Sequence, residues 1–371
     1  MARALADLSP GARVEVVGGD AHLGVHLRAW ARAQGHTAEA TTVVKGRAGD
    51  DRWRGAVRAG RPGPDGAVEH PPADWGLAGR GALIEAGGPA LVRADLDDRA
   101  ELWCDAAPQL YAQAAASQWD PATAVAWDEP FALPGEVEGA VVQVMTYLIE
   151  NEQAALVVPA GFVARIHPHF REVVQLLAVQ AADEARHVEV FTRRALLCGG
   201  QLGTSGAGGR ASLQTLLDTH DFSEATLLLS VLGEGTFLNL LAFLERHAPD
   251  PVTRRVSRLA LQDESRHVAF GMGHLQHHLA ADPDLRGRLG AAIERRHDAL
   301  AGTAGLSEVT FDALVVLAAG RWSPAAIAEG WDRVQQLQVE MDEGRRRRLV
   351  RLGFAPAEAA RLAALHTTNF M

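Results

Sequence analysis

Asp183-Glu184-Ala185-Arg186-His187 and Asp263-Glu264-Ser265-Arg266-His267 are one pattern occurring twice in the chain. Each contains Glu-x-x-His, and residues three apart share a helix face, so each copy can turn a carboxylate and an imidazole toward one metal ion. A lone Glu-x-x-His is usually two polar residues on a surface helix. The fuller Asp-Glu-x-Arg-His string is far rarer, with on the order of 0.01 chance copies expected in such a chain. Carboxylates mixed with imidazoles suit iron or manganese better than zinc or calcium.

A carboxylate di-metal bundle needs one further glutamate from each of two more helices. Glu234, in Leu232-Gly233-Glu234-Gly235, shares a helical face with Leu227, Val231, Phe237, Leu238 and Leu241, where an ionised group is costly unless paired or metal-bound. In Ile149-Glu150-Asn151-Glu152-Gln153, helical phase favours Glu152, whose neighbours three, four and seven residues away include Met145, Leu148, Ile149, Ala155 and Leu156. Glu150 is the reserve, since its own neighbours include Gln143, Thr146 and Gln153. The expected metal ligands are therefore Glu152, Glu184, His187, Glu234, Glu264 and His267. A metal-bound imidazole donates its other N–H to a carboxylate that needs its own partner. Asp183 and Asp263 fit that role, each serving the histidine of the other motif, with Arg186 and Arg266 as counter-charges. His167, His169, His274, His277 and His278 read as surface or hydrogen-bonded histidines, with His274 the one of interest.

The 371 residues carry a net charge of -10 and 47% hydrophobic residues, which argues for a well-packed protein and against a nucleic-acid partner. Cys104 and Cys198 are the two cysteines, far apart, so neither a disulfide framework nor a thiolate zinc site is expected. With no basic-then-apolar leader and no uninterrupted apolar span of membrane length, a cytoplasmic protein without a membrane partner is expected.

Residues 1–100 read as a small α+β domain. Strand-like alternation at Arg13–Val17 precedes a turn at Gly18–Asp20, a helix at Ala21–Gln34 and a second strand at Thr37–Val44. Gly46–Gly81 has loop composition, and Ala82–Glu85 and Ala90–Arg93 resemble short strands. Helical periodicity dominates 105–371, with helices expected at Gly135–Ala164, Pro168–Leu197, Ser223–His247 and Asp250–Ala280 and others on to Leu365. The glycine-rich Cys198–Ala211 reads as a flexible crossover between the second and third.

At these residues the chain resembles the ferritin-like di-iron carboxylate superfamily: multicomponent monooxygenase hydroxylases, the ribonucleotide reductase small subunit and aryl-amine N-oxygenases. The resemblance covers roughly residues 105 to 300. It implies a mainly α fold, a ferritin-like four-helix bundle with extra C-terminal helices behind the α+β domain. It also implies two iron ions, or manganese with iron, reacting when reduced with dioxygen as co-substrate in an oxygenase or oxidase, of which a monooxygenase or N-oxygenase is the form expected. Partners would be a small organic substrate and an external electron donor, a reductase or ferredoxin; the sequence does not give the oligomeric state, although homodimers are common where long helices offer extra apolar surface. A metal-storage or ligand-binding bundle without turnover is the alternative. The chain departs from the N-oxygenases at Ala260, where they carry an additional histidine, and from the hydroxylases at Leu238, where threonine is common. Its two tyrosines are Tyr111 and Tyr147, and Tyr147 is out of phase with Glu152. Gly11–Glu39 resembles the distal half of a TusA-type sulfur carrier, through Val14-Glu15-Val16, Trp30 and Gly35-His36, without that family's Cys-Pro. A docking or structural role is expected of it.

Overall fold

The computed structural model describes residues 1–47, 55–301 and 308–365. They fall into two compact units, one of Met1–Ala94 with His167–His169, the other of Asp95–Ile166 and Phe170 onward.

In the first unit, helix α1 (Ala2–Ala6) and helix α2 (Leu23–Ala33) accompany strands β1 (Arg13–Glu15), β2 (Thr37–Glu39) and β3 (Thr42–Val44). The sheet order is β1-β3-β2, both pairs antiparallel, with Val14 opposite Val43 and Ala38 opposite Val43 on the other side. Leu5, Leu27, Ala31 and Val43 form its core, packed by Val14, Val16, Leu23, Trp30 and Ala38. The single strand expected at Thr37–Val44 is thus a hairpin. Its turn runs through Ala40, at φ 49°, and Thr41, which carry none of the glycine, asparagine or proline that usually marks such a turn. β4 (Val57–Arg58) pairs with β5 (Leu83–Ile84), and 3-10 turns form at Pro64–Gly66 and Ala73–Trp75, so the expected loop Gly46–Gly81 has some structure. Positions 48–54 of that loop lie outside the described residues. Ala90–Arg93 is not a strand; Val92 is 97% exposed and has no ladder to join.

The second unit is helical. Short helices α3 (Arg99–Leu102) and α4 (Ala107–Ala116) lead to α5 (Gly135–Val163) and α6 (Arg171–Leu196), which pack along their lengths and, joined by so short a connection, must run antiparallel. The expected start of the second helix at Pro168 is a 3-10 turn over Pro168–Phe170. The crossover is less open than its glycines suggest, because α7 (Ala207–Leu217) occupies its second half. The third bundle member is continuous in space but changes pitch, from α8 (Phe222–Thr226) through a π-helical stretch, Leu227–Glu234, to α9 (Gly235–His247). The fourth is α10 (Pro251–Ala281), started by Pro251 in its first turn and by Asp250, whose side chain accepts from Thr253 N at 2.7 Å. Gly271 brings α10 close to the π-helical stretch: a β-carbon there would lie 2.8 Å from Ser230 Cβ. Helices α11 (Leu285–Leu300), α12 (Glu308–Ala319), α13 (Pro324–Arg351) and α14 (Pro356–Ala364) follow, α12 packing on α5 and α13 on α9.

Phe222–His247 is apolar and long enough to cross a membrane, contrary to the reading that no such span exists, but 83% of its most apolar window is buried inside the bundle. A fully surrounded core helix has the same composition for a different reason. Away from the carboxylates of the repeated motifs, the buried Arg194 bonds Glu138 at 2.7 and 2.9 Å, Asp250 at 2.9 Å and Thr253 at 2.8 Å, tying α6 to α5 and to the start of α10.

Candidate metal centre

Each of the four bundle members contributes an acidic side chain to one buried cluster. α5 provides Glu152, α6 Glu184 and His187, the end of the π-helical stretch Glu234, and α10 Glu264 and His267. Their exposures range from 0% to 4%. Glu150, the reserve candidate, is only partly buried and belongs to neither ligand group below.

The six fall into two overlapping groups: Glu152, Glu184, His187 and Glu264, and Glu184, Glu234, Glu264 and His267. In each, one candidate ligand atom per residue lies within 4.8 Å of the others. Glu184 and Glu264 belong to both. His187 Nδ1 lies 3.1 Å from Glu184 and 3.3 Å from Glu264, and His267 Nδ1 3.0 Å and 3.4 Å from the same two.

The opposite ring nitrogens show how the imidazoles are oriented. His187 Nε2 is 3.2 Å from Asp263, on the other motif, and His267 Nε2 is 3.3 Å from Asp183. An ionised carboxylate can only accept, so Nε2 carries a hydrogen, and Nδ1 is the ring nitrogen that would offer its lone pair to a cation bound in the cluster. Arg186 bonds Asp183 and lies 3.3 Å from Asp263; Arg266 bonds Asp263 and lies 3.5 Å from Asp183. Three partners were missed by sequence reasoning. Gln118 donates to Asp183 at 3.0 Å and Trp119 Nε1 to Asp263 at 2.8 Å, both from the segment following α4. Gln180, one turn before Glu184, donates to Glu234 Oε1 at 3.0 Å.

Burial, followed by the neighbouring negative charges of Glu184 and Glu264, pushes the Glu152 carboxyl well above the usual range. Burial and Glu264 do the same to Glu234. Glu184, although buried, is held below it by His267 and His187. Both imidazoles are raised, since burial is outweighed at His187 by Asp263 and the glutamates and at His267 by Glu264 and Glu184.

The residues fit two divalent cations. Glu152 Oε1, Glu184 Oε1, Glu234 Oε2, both oxygens of Glu264 and Nδ1 of His267 are buried without a well-formed hydrogen bond. Orphaned acceptors of this kind are costly in a protein interior unless something positive meets them. Four carboxylates, ionised, balance two divalent ions, and an oxygen-rich set with one imidazole per ion suits iron or manganese.

The remaining histidines lie elsewhere. His274 Nε2 and His278 Nδ1 share Ser223 Oγ at 3.0 and 2.8 Å, and burial, then His278, pushes His274 down to about 3. In the first unit, His169 Nε2 accepts from Val68 N at 3.0 Å and His167 Nε2 lies 3.3 Å from Pro72 O.

No family model matches the chain, and no curated protein matches it significantly. Among solved structures it is similar to a mutant R2-like ligand-binding oxidase with an aerobically reconstituted Mn/Fe cofactor, at 17% identity and a TM-score of 0.47, covering 63% of this chain and 92% of that one. It is also similar to a protein from Synechococcus with aldehyde deformylating oxidase activity, at 19% identity and a TM-score of 0.44, covering 62% and 96%. Likeness at this level carries no argument about the reaction.

Proposed function

We propose that this protein is a di-metal oxidoreductase that activates dioxygen to oxidise a small organic substrate, with Glu152, Glu184, His187, Glu234, Glu264 and His267 as ligands. The observation that carries the reading is the pair of ligand sets sharing Glu184 and Glu264, which would hold two ions. When bound and reduced, such ions supply the electrons that dioxygen needs. The chain's own groups set the conditions. Asp183 and Asp263 fix the imidazole rings, Arg186 and Arg266 offset those carboxylates, and Gln180 restrains Glu234. The buried surroundings exclude bulk water. Returning the metals to the reduced state needs a separate donor of reductase or ferredoxin type.

Monooxygenase or N-oxygenase specificity is the finer form of the proposal, and the apolar surroundings of Gln180 and Ser230 favour an organic substrate over iron storage. The metal pair is two irons, or manganese with iron, which elemental analysis separates. Rapid mixing of anaerobic, ferrous-loaded protein with dioxygen tests the reading. A transient near-ultraviolet or visible band, absent in Glu184→Ala and Glu264→Ala, is expected; slow, featureless mineral growth would favour storage. For residues 1–94 we propose a structural or docking role rather than sulfur relay, since Gly11–Glu39 contains no cysteine.

A further inference from the structure

Two cavities share a wall, and the more deeply buried one reaches Gln180, the hydrogen-bond partner of Glu234. The outer one, about 200 Å³, opens to solvent between α5 and α7, rimmed by Val157, Gly161, Arg165, Leu217 and His220. The inner one is about 20 Å³, room for roughly one water-sized molecule. Its walls are chiefly apolar, with Leu177, Ala225, Leu229 and Phe270 among them, and its polar groups include Gln180 and Ser230. Gln180 is the residue whose amide holds Glu234. Val158 and Phe162 line both cavities.

Of the two shared residues, Phe162 is the aromatic one, and on the inner side it packs against Phe222. Phe162 and Phe222 meet edge to face with centroids 5.1 Å apart, and both are 5% exposed. The Arg165 guanidinium lies 5.3 Å over the Phe162 ring. It is the one lysine or arginine among the described residues lining either cavity, and it is already engaged, by Asp95 at 2.6 Å and by the carbonyl of His220 at 2.8 Å. Two features of the surrounding helices depart from regular α-helix at this wall. Pro159 has no N–H to give within α5, and of the inner cavity's lining Leu229 and Ser230 belong to the π-helical stretch while Phe222 begins α8.

We propose that Phe162, closing against Phe222, is the gate through which substrate reaches the Glu234 side of the metal centre, and that the substrate is a neutral, largely apolar molecule. This rests on the proposed function. In the closed form the inner cavity admits a molecule the size of dioxygen or water and no organic compound, so an organic substrate requires the rings to part. An anionic head would find no free cation along the way.

Cysteine labelling tests the gate without relying on metal or turnover. The full chain with Cys198→Ser and Ala225→Cys places a thiol on the inner wall. The buried Cys104, its thiol pushed up to about 11 by burial, reports any general loosening of the fold. With methyl methanethiosulfonate, a neutral probe, Phe162→Ala should label Ala225→Cys about tenfold faster than the parent, as expected when an edge-to-face pair and its bulk are removed. Phe162→Leu should fall between, and Cys104 should stay unlabelled. The anionic sulfonatoethyl analogue should stay slow in all of them. Equal rates in the parent and both Phe162 variants would overturn the gate, as would Cys104 labelling in step with Ala225→Cys. An equal gain for the anionic probe would overturn the neutral class. Metal content measured on the same variants reports separately on the proposed function, whose failure would leave the labelling result standing.

Discussion

Asp263 bonds His187 across the bundle, receives Trp119 Nε1 and is paired with Arg266, so its effect on a metal is exerted entirely through the imidazole it orients. Asp263→Asn should lower metal affinity by about 10- to 100-fold while leaving the helical fold intact, measured by competition with a chromophoric chelator. Asp183→Asn should behave alike through His267; a change in neither would remove the crossed pairing from the account. This crossed arrangement was legible in the sequence, because a residue one position before an inward-facing glutamate cannot face its own helix's metal. The choice of Glu152 over Glu150 was legible from apolar phase in the same way, and Gln180 could have been found by that logic, since it lies one turn before Glu184 and on its face. Gln118 and Trp119 could not, because they sit in an irregular segment whose position depends on how α4 packs against α6.

The helices themselves were mostly legible from periodicity and caps, and their discrepancies have local causes. Leu227-Leu228-Leu229-Ser230-Val231-Leu232 is apolar on nearly every side, so no polar face reveals the helical period, and the π-helical stretch stayed hidden. In the first unit, Ala40-Thr41 gave no sign of a turn. Arg194 shows how the helices are fastened together. Replacing it by leucine would leave Asp250 buried with one cationic partner fewer and Glu138 unpaired, and Arg194→Leu should destabilise the protein by about 3 to 5 kcal/mol in denaturant unfolding. A loss within experimental error would mean that the network contributes nothing net.

For the whole molecule, the candidate centre links metal, protons and stability. In the metal-free protein Glu152, Glu234, His187 and His267 all hold protons more tightly folded than unfolded. Raised pKa values favour folding below the unfolded values, and that contribution is lost as pH rises toward the folded ones. From the ordinary histidine value of 6.5 upward, therefore, the metal-free protein should lose thermal stability. The metal-loaded protein should stay flatter, because bound cations replace the protons. Thermal unfolding of both forms between about pH 6.5 and 8.5 checks this; parallel curves would contradict it.

The account stands on two ligand sets that share Glu184 and Glu264 and would each hold an ion. Anomalous X-ray diffraction from crystals loaded anaerobically with ferrous iron addresses that directly. Two adjacent peaks are predicted, one within coordination distance of Glu152 and His187, the other of Glu234 and His267, and both in reach of the shared pair. A single peak, or density bound anywhere else, would contradict it.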